Sequence, residues 1–69
     1  MTDLPVAAID RLIRKAGAER VSEDAAEELS KILSEVAMDI SKQAIELAKH
    51  AKRKTITGED IKLATKTMQ

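Results

Sequence analysis

The stretch from Glu23 to His50 contains neither glycine nor proline and is rich in Ala, Leu, Ile, Lys and Glu, residues that favour helix. It predicts one uninterrupted helix, about 42 Å long at 1.5 Å per residue. Ser22 is a good N-cap for it, Glu23 and Asp24 complement the positive end of its dipole, and Lys49 complements the other end. Its apolar stripe is Leu29, Ile32, Leu33, Val36, Ile40, Ala44, Leu47 and Ala51, widened by Ala25, Ala37, Ile45 and Ala48. In a chain of 69 residues this leaves room only for short flanking elements.

Those elements also read as helices. The first covers about residues 5–16, with Pro5 suited to a first helical position, apolar Ile9, Leu12, Ile13 and Ala16 on one stripe, and Gly17 as its stop. The third covers about 58–67, opened by Thr57 as N-cap with Asp60 three residues on, and carries apolar Ile61, Leu63, Ala64 and Met68. No strand-like alternation competes, so the expected class is all-α, a short–long–short arrangement in a single domain, 1–69.

That arrangement has a stability problem. A chain under about 70–80 residues rarely draws more than about 3–5 kcal/mol from one core. Cysteine and aromatic residues are absent, which removes disulfides and the side chains of largest buried area. His50 is the sole histidine, and no acidic cluster has calcium-loop spacing, so no metal and no cofactor are expected. Association with another chain remains. Two short helices cannot cover a 42 Å helix, whereas a second copy crossing at its middle would bury Leu33, Val36 and Ile40, with Leu29 beside them. The expectation is an intertwined homodimer with Leu29, Leu33, Val36 and Ile40 at its core. A plain coiled coil fits less well, because the stripe keeps no strict seven-residue repeat. No apolar run is long enough to span a membrane, and the first residues lack a signal peptide's basic start and apolar block.

The formal net charge is zero, which on its face disfavours nucleic acid, but the charges are blocked. Residues 1–10 carry −2, 11–20 carry +3, 21–46 carry −5, 47–54 carry +4, and 55–69 balance. The basic blocks fall at helix ends and loops, where free backbone N–H groups and the hydroxyls of Ser22 and Thr55 can join cations in binding phosphate. Lys31, Lys42 and Glu35 read as ordinary solvated charges. Lys52-Arg53-Lys54 reads equally well as a solvated run or as a binding segment.

Several blocks together resemble one family. They are Leu4-Pro5-Val6-Ala7 with Arg11, Ala16-Gly17-Ala18-Glu19-Arg20-Val21-Ser22, Leu47-Ala48-Lys49-His50-Ala51, Arg53-Lys54-Thr55-Ile56, and Glu59-Asp60-Ile61. With this spacing, over nearly the whole chain, the sequence resembles an archaeal histone. The resemblance implies the histone fold, with its handshake dimer, and sequence-nonspecific wrapping and compaction of double-stranded DNA by dimers that stack into a larger assembly. It implies a location in the cytoplasm on the chromosome. By position, Arg11 is expected to enter the minor groove, Arg20, Lys54 and Thr55 to clamp phosphate with Ser22 beside them, and Arg14 to touch the DNA backbone from the first helix. Leu47, His50, Asp60 and Leu63 match the family's dimer–dimer contact, Arg53 the intrachain partner of Asp60, and Gly17 a close approach between superhelix turns. Read without the resemblance, His50 is a solvent-facing residue near a helix end and Gly17 a helix stop.

The sequence departs from the family at four positions. Lys52 stands where glycine is usual, Thr57 where many members have lysine, Ala26 where some have arginine, and Met68 where an aromatic is usual. These departures bear on DNA affinity more than on the fold: Thr57 leaves out one phosphate neutraliser, whereas Lys52, at a cost of about 1 kcal/mol if its place is left-handed, adds a charge near the DNA path. A competing function keeps the fold but serves a protein partner through the acidic middle of the long helix, with weak DNA binding. A paralogue as heterodimer partner fits the same sequence. An enzyme is not expected, since there is no nucleophile–base pair and no glycine-rich phosphate loop.

Overall fold

The computed structural model describes residues 4–67; Met68, expected from the sequence as an apolar position of the third helix and a departure from the family, lies outside the described residues. Three helices occur among them: α1, Val6–Lys15; α2, Glu23–His50; and α3, Gly58–Thr67. The order is short, long, short, with no strand among the described residues. The chain divides into two compact units, Met1–Glu35 and Val36–Gln69.

In the first unit, Pro5 is the N-cap of α1 and not its first helical residue. Its φ of −64° and ψ of 117° are extended, while its carbonyl accepts the first helical bond from the Ile9 N–H at 3.2 Å. At the other end Gly17, at φ +124°, ends the helix. The Gly17 N–H donates to the Arg14 carbonyl and the Ala18 N–H to the Ile13 carbonyl, the paired bonds of a Schellman stop. Ala16 is the C-cap, so the helix is one residue shorter at each end than its apolar pattern suggests. The buried residues of this unit are Ile9, Ala26 and Ser30. The Ser30 hydroxyl donates to the Leu4 carbonyl at 3.0 Å, which ties the approach to α1 onto α2. Leu12, on the expected α1 stripe, is 58 % exposed.

In the second unit the buried apolar residues are Ala44, Ala48 and Ala64. Alanine on both α2 and α3 leaves little side chain between the helices. Helix α2 ends with a second Schellman stop: the Lys52 N–H donates to the Lys49 carbonyl and the Arg53 N–H to the Ala48 carbonyl, both at 2.9 Å. Lys52 takes the left-handed place at φ +59°. A side chain there costs about 1–2 kcal/mol relative to glycine.

Among the described residues, four of the five buried apolar side chains are alanine. Ile32, Val36, Met38, Ile45, Ile56, Ile61 and Leu63 are exposed along with Leu12. Leu12, Ile32, Val36 and Met38 keep 45–58 % of their surface exposed, so covering these four alone would contribute about 3–6 kcal/mol per chain, half of the about 1.5–3 kcal/mol each that full burial is worth. The isolated chain leaves most of its large apolar side chains in contact with solvent.

Candidate nucleic-acid interface

The two interhelical loops are built alike. In the first, Arg14 is turned toward its own chain. Its Nε donates to Asp10 Oδ2 at 2.9 Å, an i,i+4 ion pair on α1, and its Nη1 donates to the Glu19 carbonyl at 3.4 Å. The side chain expected to touch DNA from the first helix is therefore partly occupied in holding the loop. Arg11 and Arg20 are exposed, and neither takes an ion pair among the described residues. Ser22 caps α2 by accepting the Ala25 N–H at 3.3 Å. That bond uses an oxygen lone pair, so the hydroxyl hydrogen stays available to an acceptor such as phosphate.

In the second loop Arg53 plays the part of Arg14. Its Nη1 donates to the Thr55 carbonyl at 3.0 Å and to Asp60 Oδ2 at 2.9 Å, and its Nη2 donates to Asp60 Oδ1 at 2.8 Å. Thr57 and Asp60 form a capping box: the Thr57 N–H donates to Asp60 Oδ2 at 2.9 Å and the Asp60 N–H to Thr57 Oγ1 at 3.3 Å. The Thr57 hydroxyl also donates to Asp60 Oδ2 at 3.0 Å. The Arg53 fork, then the Thr57 amide, hold the Asp60 carboxyl well below the usual carboxylate range. Lys52, Lys54 and Thr55 are exposed, and the two lysines take no ion pair among the described residues. Ile45, Ala48, Lys49, Arg53, Lys54 and Ile56 line a cavity of about 400 Å³.

The residues matched to a dimer–dimer contact lie in the second unit. Leu47 is half-buried, His50 and Leu63 are exposed, and Asp60 is buried. Four donors converge on the Asp60 carboxylate, three on Oδ2 and one on Oδ1. A carboxylate oxygen offers about two lone pairs, so Oδ1 alone keeps room for one more donor. Gly17 has open space around the position a Cβ would take. Of the expected dimer core, Leu29, Leu33 and Ile40 are half-buried and Val36 is 45 % exposed.

Asp10, the carboxylate that orients Arg14, is a residue the sequence motifs do not single out, although its i,i+4 spacing to Arg14 carries the signal. The use of Thr55 and Glu19 carbonyls by the two arginines has no sequence signal. Among the described residues no group of His, Asp and Glu side chains is placed to hold a metal ion, and no helix is long and apolar enough to cross a membrane.

Short–long–short helices, with an arginine-braced loop carrying an exposed cation after each of the first two, define a small all-helical protein of the histone-fold class. Residues 2–65 match the family described as histone-like transcription factor (CBF/NF-Y) and archaeal histone, and the chain belongs to that family. It is 61 % identical over 66 residues to one of the subunits of archaeal histone HAN1 of Thermococcus zilligii, covering 96 % of this chain and 98 % of that protein. It is 50 % identical over 64 residues to probable archaeal histone 3 of Methanocaldococcus jannaschii, covering 93 % and 96 %. One of the subunits of nuclear transcription factor Y from Oryza sativa subsp. japonica is 36 % identical over 67 residues, 94 % of this chain but 38 % of the plant protein. As an archaeal histone the chain is a DNA-binding chromatin protein.

Proposed function

We propose that this histone wraps and compacts double-stranded DNA without reading its sequence, as a single-domain chain paired in a handshake homodimer. The observation that carries the reading is the division of labour in the loops. One arginine braces the backbone of each loop, Arg14 of α1 on the Glu19 carbonyl and Arg53 on the Thr55 carbonyl, while Arg20 and Lys54 stay exposed and unpaired among the described residues. In the family's dimer the first loop of one chain lies beside the second loop of the other. Arg20, Ser22, Lys54 and Thr55 would then form one phosphate clamp, and Arg11 would enter the minor groove. Arg14 would add at most a shared contact, since Asp10 already holds it.

The exposed and half-buried apolar residues of α2 support the pairing. Leu29, Leu33, Val36 and Ile40 share one face of the helix, which a second chain would cover. The Thermococcus relative is by name one of the subunits of its histone, and a paralogue in place of the second copy would meet the same face. Dimers would stack through Leu47, His50, Asp60 and Leu63, His50 of one dimer taking the remaining lone pair of Asp60 Oδ1 in the next, with Gly17 allowing turns to approach. The work would be done on the chromosome, in the cytoplasm.

A second reading places a protein partner on the acidic stretch of α2, where Met38 is 58 % exposed among carboxylates. A salt titration of DNA affinity separates the two. Each neutralised phosphate adds about −0.9 to the slope of log K against log salt, so Arg11, Arg20 and Lys54 on two chains give about −5 or steeper. The double variant Arg20→Ala, Lys54→Ala removes four of those six contacts and should make the slope shallower by about 3.6. Unchanged affinity and slope in that variant would contradict DNA packaging and favour the protein-partner reading.

A further inference from the structure

Lys52 is the one non-glycine residue with positive φ among the described residues, at +59°. The same step in the first loop, the left-handed place that closes a Schellman stop, is taken by Gly17. Glycine meets that backbone demand without strain, and lysine does not. Strain retained at one of two equivalent places points to a use for the side chain. Helix-end electrostatics are already served by Lys49 in the last turn of α2. Lys52 is exposed and takes no ion pair among the described residues. The cation after it, Arg53, is fastened to Asp60 and the Thr55 carbonyl, and the hydroxyl of Thr57 is turned to Asp60. Without Lys52 this loop would offer DNA one cation free of an ion pair among the described residues, Lys54, beside the Thr55 hydroxyl.

We infer that Lys52 is a further phosphate-contacting residue of the second loop, one contact per chain. The inference rests on the DNA-packaging reading above. It raises the phosphates neutralised by the dimer from six to eight, and the expected salt slope from about −5 to about −7.

The test is binding of the full chain to a fluorescent random-sequence DNA duplex between 50 and 200 mM salt, read by anisotropy. Lys52→Gly, Lys52→Asn and Lys52→Arg are compared with the wild type, and urea unfolding is run on each. Lys52→Gly and Lys52→Asn suit the left-handed backbone but lack the charge, whereas Lys52→Arg keeps the charge and the strain. The expected result is a slope shallower by about 1.8 for the Gly and Asn variants, so that the wild type loses about 12-fold more affinity across that salt range. Lys52→Arg should match the wild type, and Lys52→Gly should unfold at higher urea while binding DNA less well. A steep wild-type slope that Lys52→Gly leaves unchanged would overturn the inference and leave DNA packaging standing. A wild-type chain without salt-dependent DNA binding would overturn both.

Discussion

Val36→Ala tests whether a second chain covers the middle of α2. The substitution removes two methyl groups, worth about 0.8 kcal/mol each when fully buried. In a dimer that buries both copies the loss is about 3 kcal/mol per dimer. In an isolated chain Val36 keeps 45 % of its surface exposed, so only about 0.9 kcal/mol would be lost. The chain has no Trp or Tyr to report by fluorescence, so unfolding in urea is followed by helical circular dichroism. A folded dimer in equilibrium with two unfolded chains loses about 1.4 kcal/mol for each tenfold dilution. With a denaturant dependence of about 2 kcal/mol per molar, the midpoint should fall by about 0.7 M per tenfold dilution, and Val36→Ala should lower it by about 1.6 M. A midpoint independent of protein concentration, with a loss near 0.9 kcal/mol per chain, would refute the idea that the alanine-rich interior is completed by a partner.

Three further outcomes follow from the loops. Thr57→Ala removes the N-cap of α3 and should cost about 0.5–2 kcal/mol in chemical denaturation. Gly17→Ala meets no neighbouring atom but forces a side chain onto φ +124°, and should cost about 1–3 kcal/mol in the same assay. Because the folded-state pKa of Asp60 is depressed, its stabilising effect is fully present above the usual carboxylate value, near about 4, and fades as pH falls below it. Asp60→Asn should therefore melt below the wild type at neutral pH, and the gap should narrow in acid. A gap that stays constant from pH 7 to pH 2 would show that the ionised carboxylate contributes nothing.

Residues whose effect is local are legible in the sequence. Ser22 caps α2, and Thr57 pairs with Asp60 at the start of α3, because a cap depends on neighbours three residues away. Gly17 ends α1 for an equally local reason. Arg53 and Asp60 are legible only through the family resemblance, since nothing in seven-residue spacing across a loop prescribes an ion pair. Their bond closes once the turn at Lys52 brings the loop back toward α3. Helix periodicity overstates what a single chain buries. It marks Leu12, Val36 and Leu63 as apolar-face residues, yet all three are exposed, because periodicity marks a face and does not say which chain covers it. Arg14 reads as a free cation until its competitor for DNA, Asp10, is placed one turn before it on the same helix.

The most direct test of DNA packaging by this histone is nuclease digestion of complexes formed on long duplex DNA at increasing protein-to-DNA ratios. Wrapping by stacked dimers predicts discrete protected fragments that lengthen in equal steps as protein is added. His50→Ala should retain the shortest fragment and lose the longer ones. Digestion indistinguishable from naked DNA at every ratio would contradict packaging, and fragments of unchanged length in His50→Ala would remove His50 from the stacking contact.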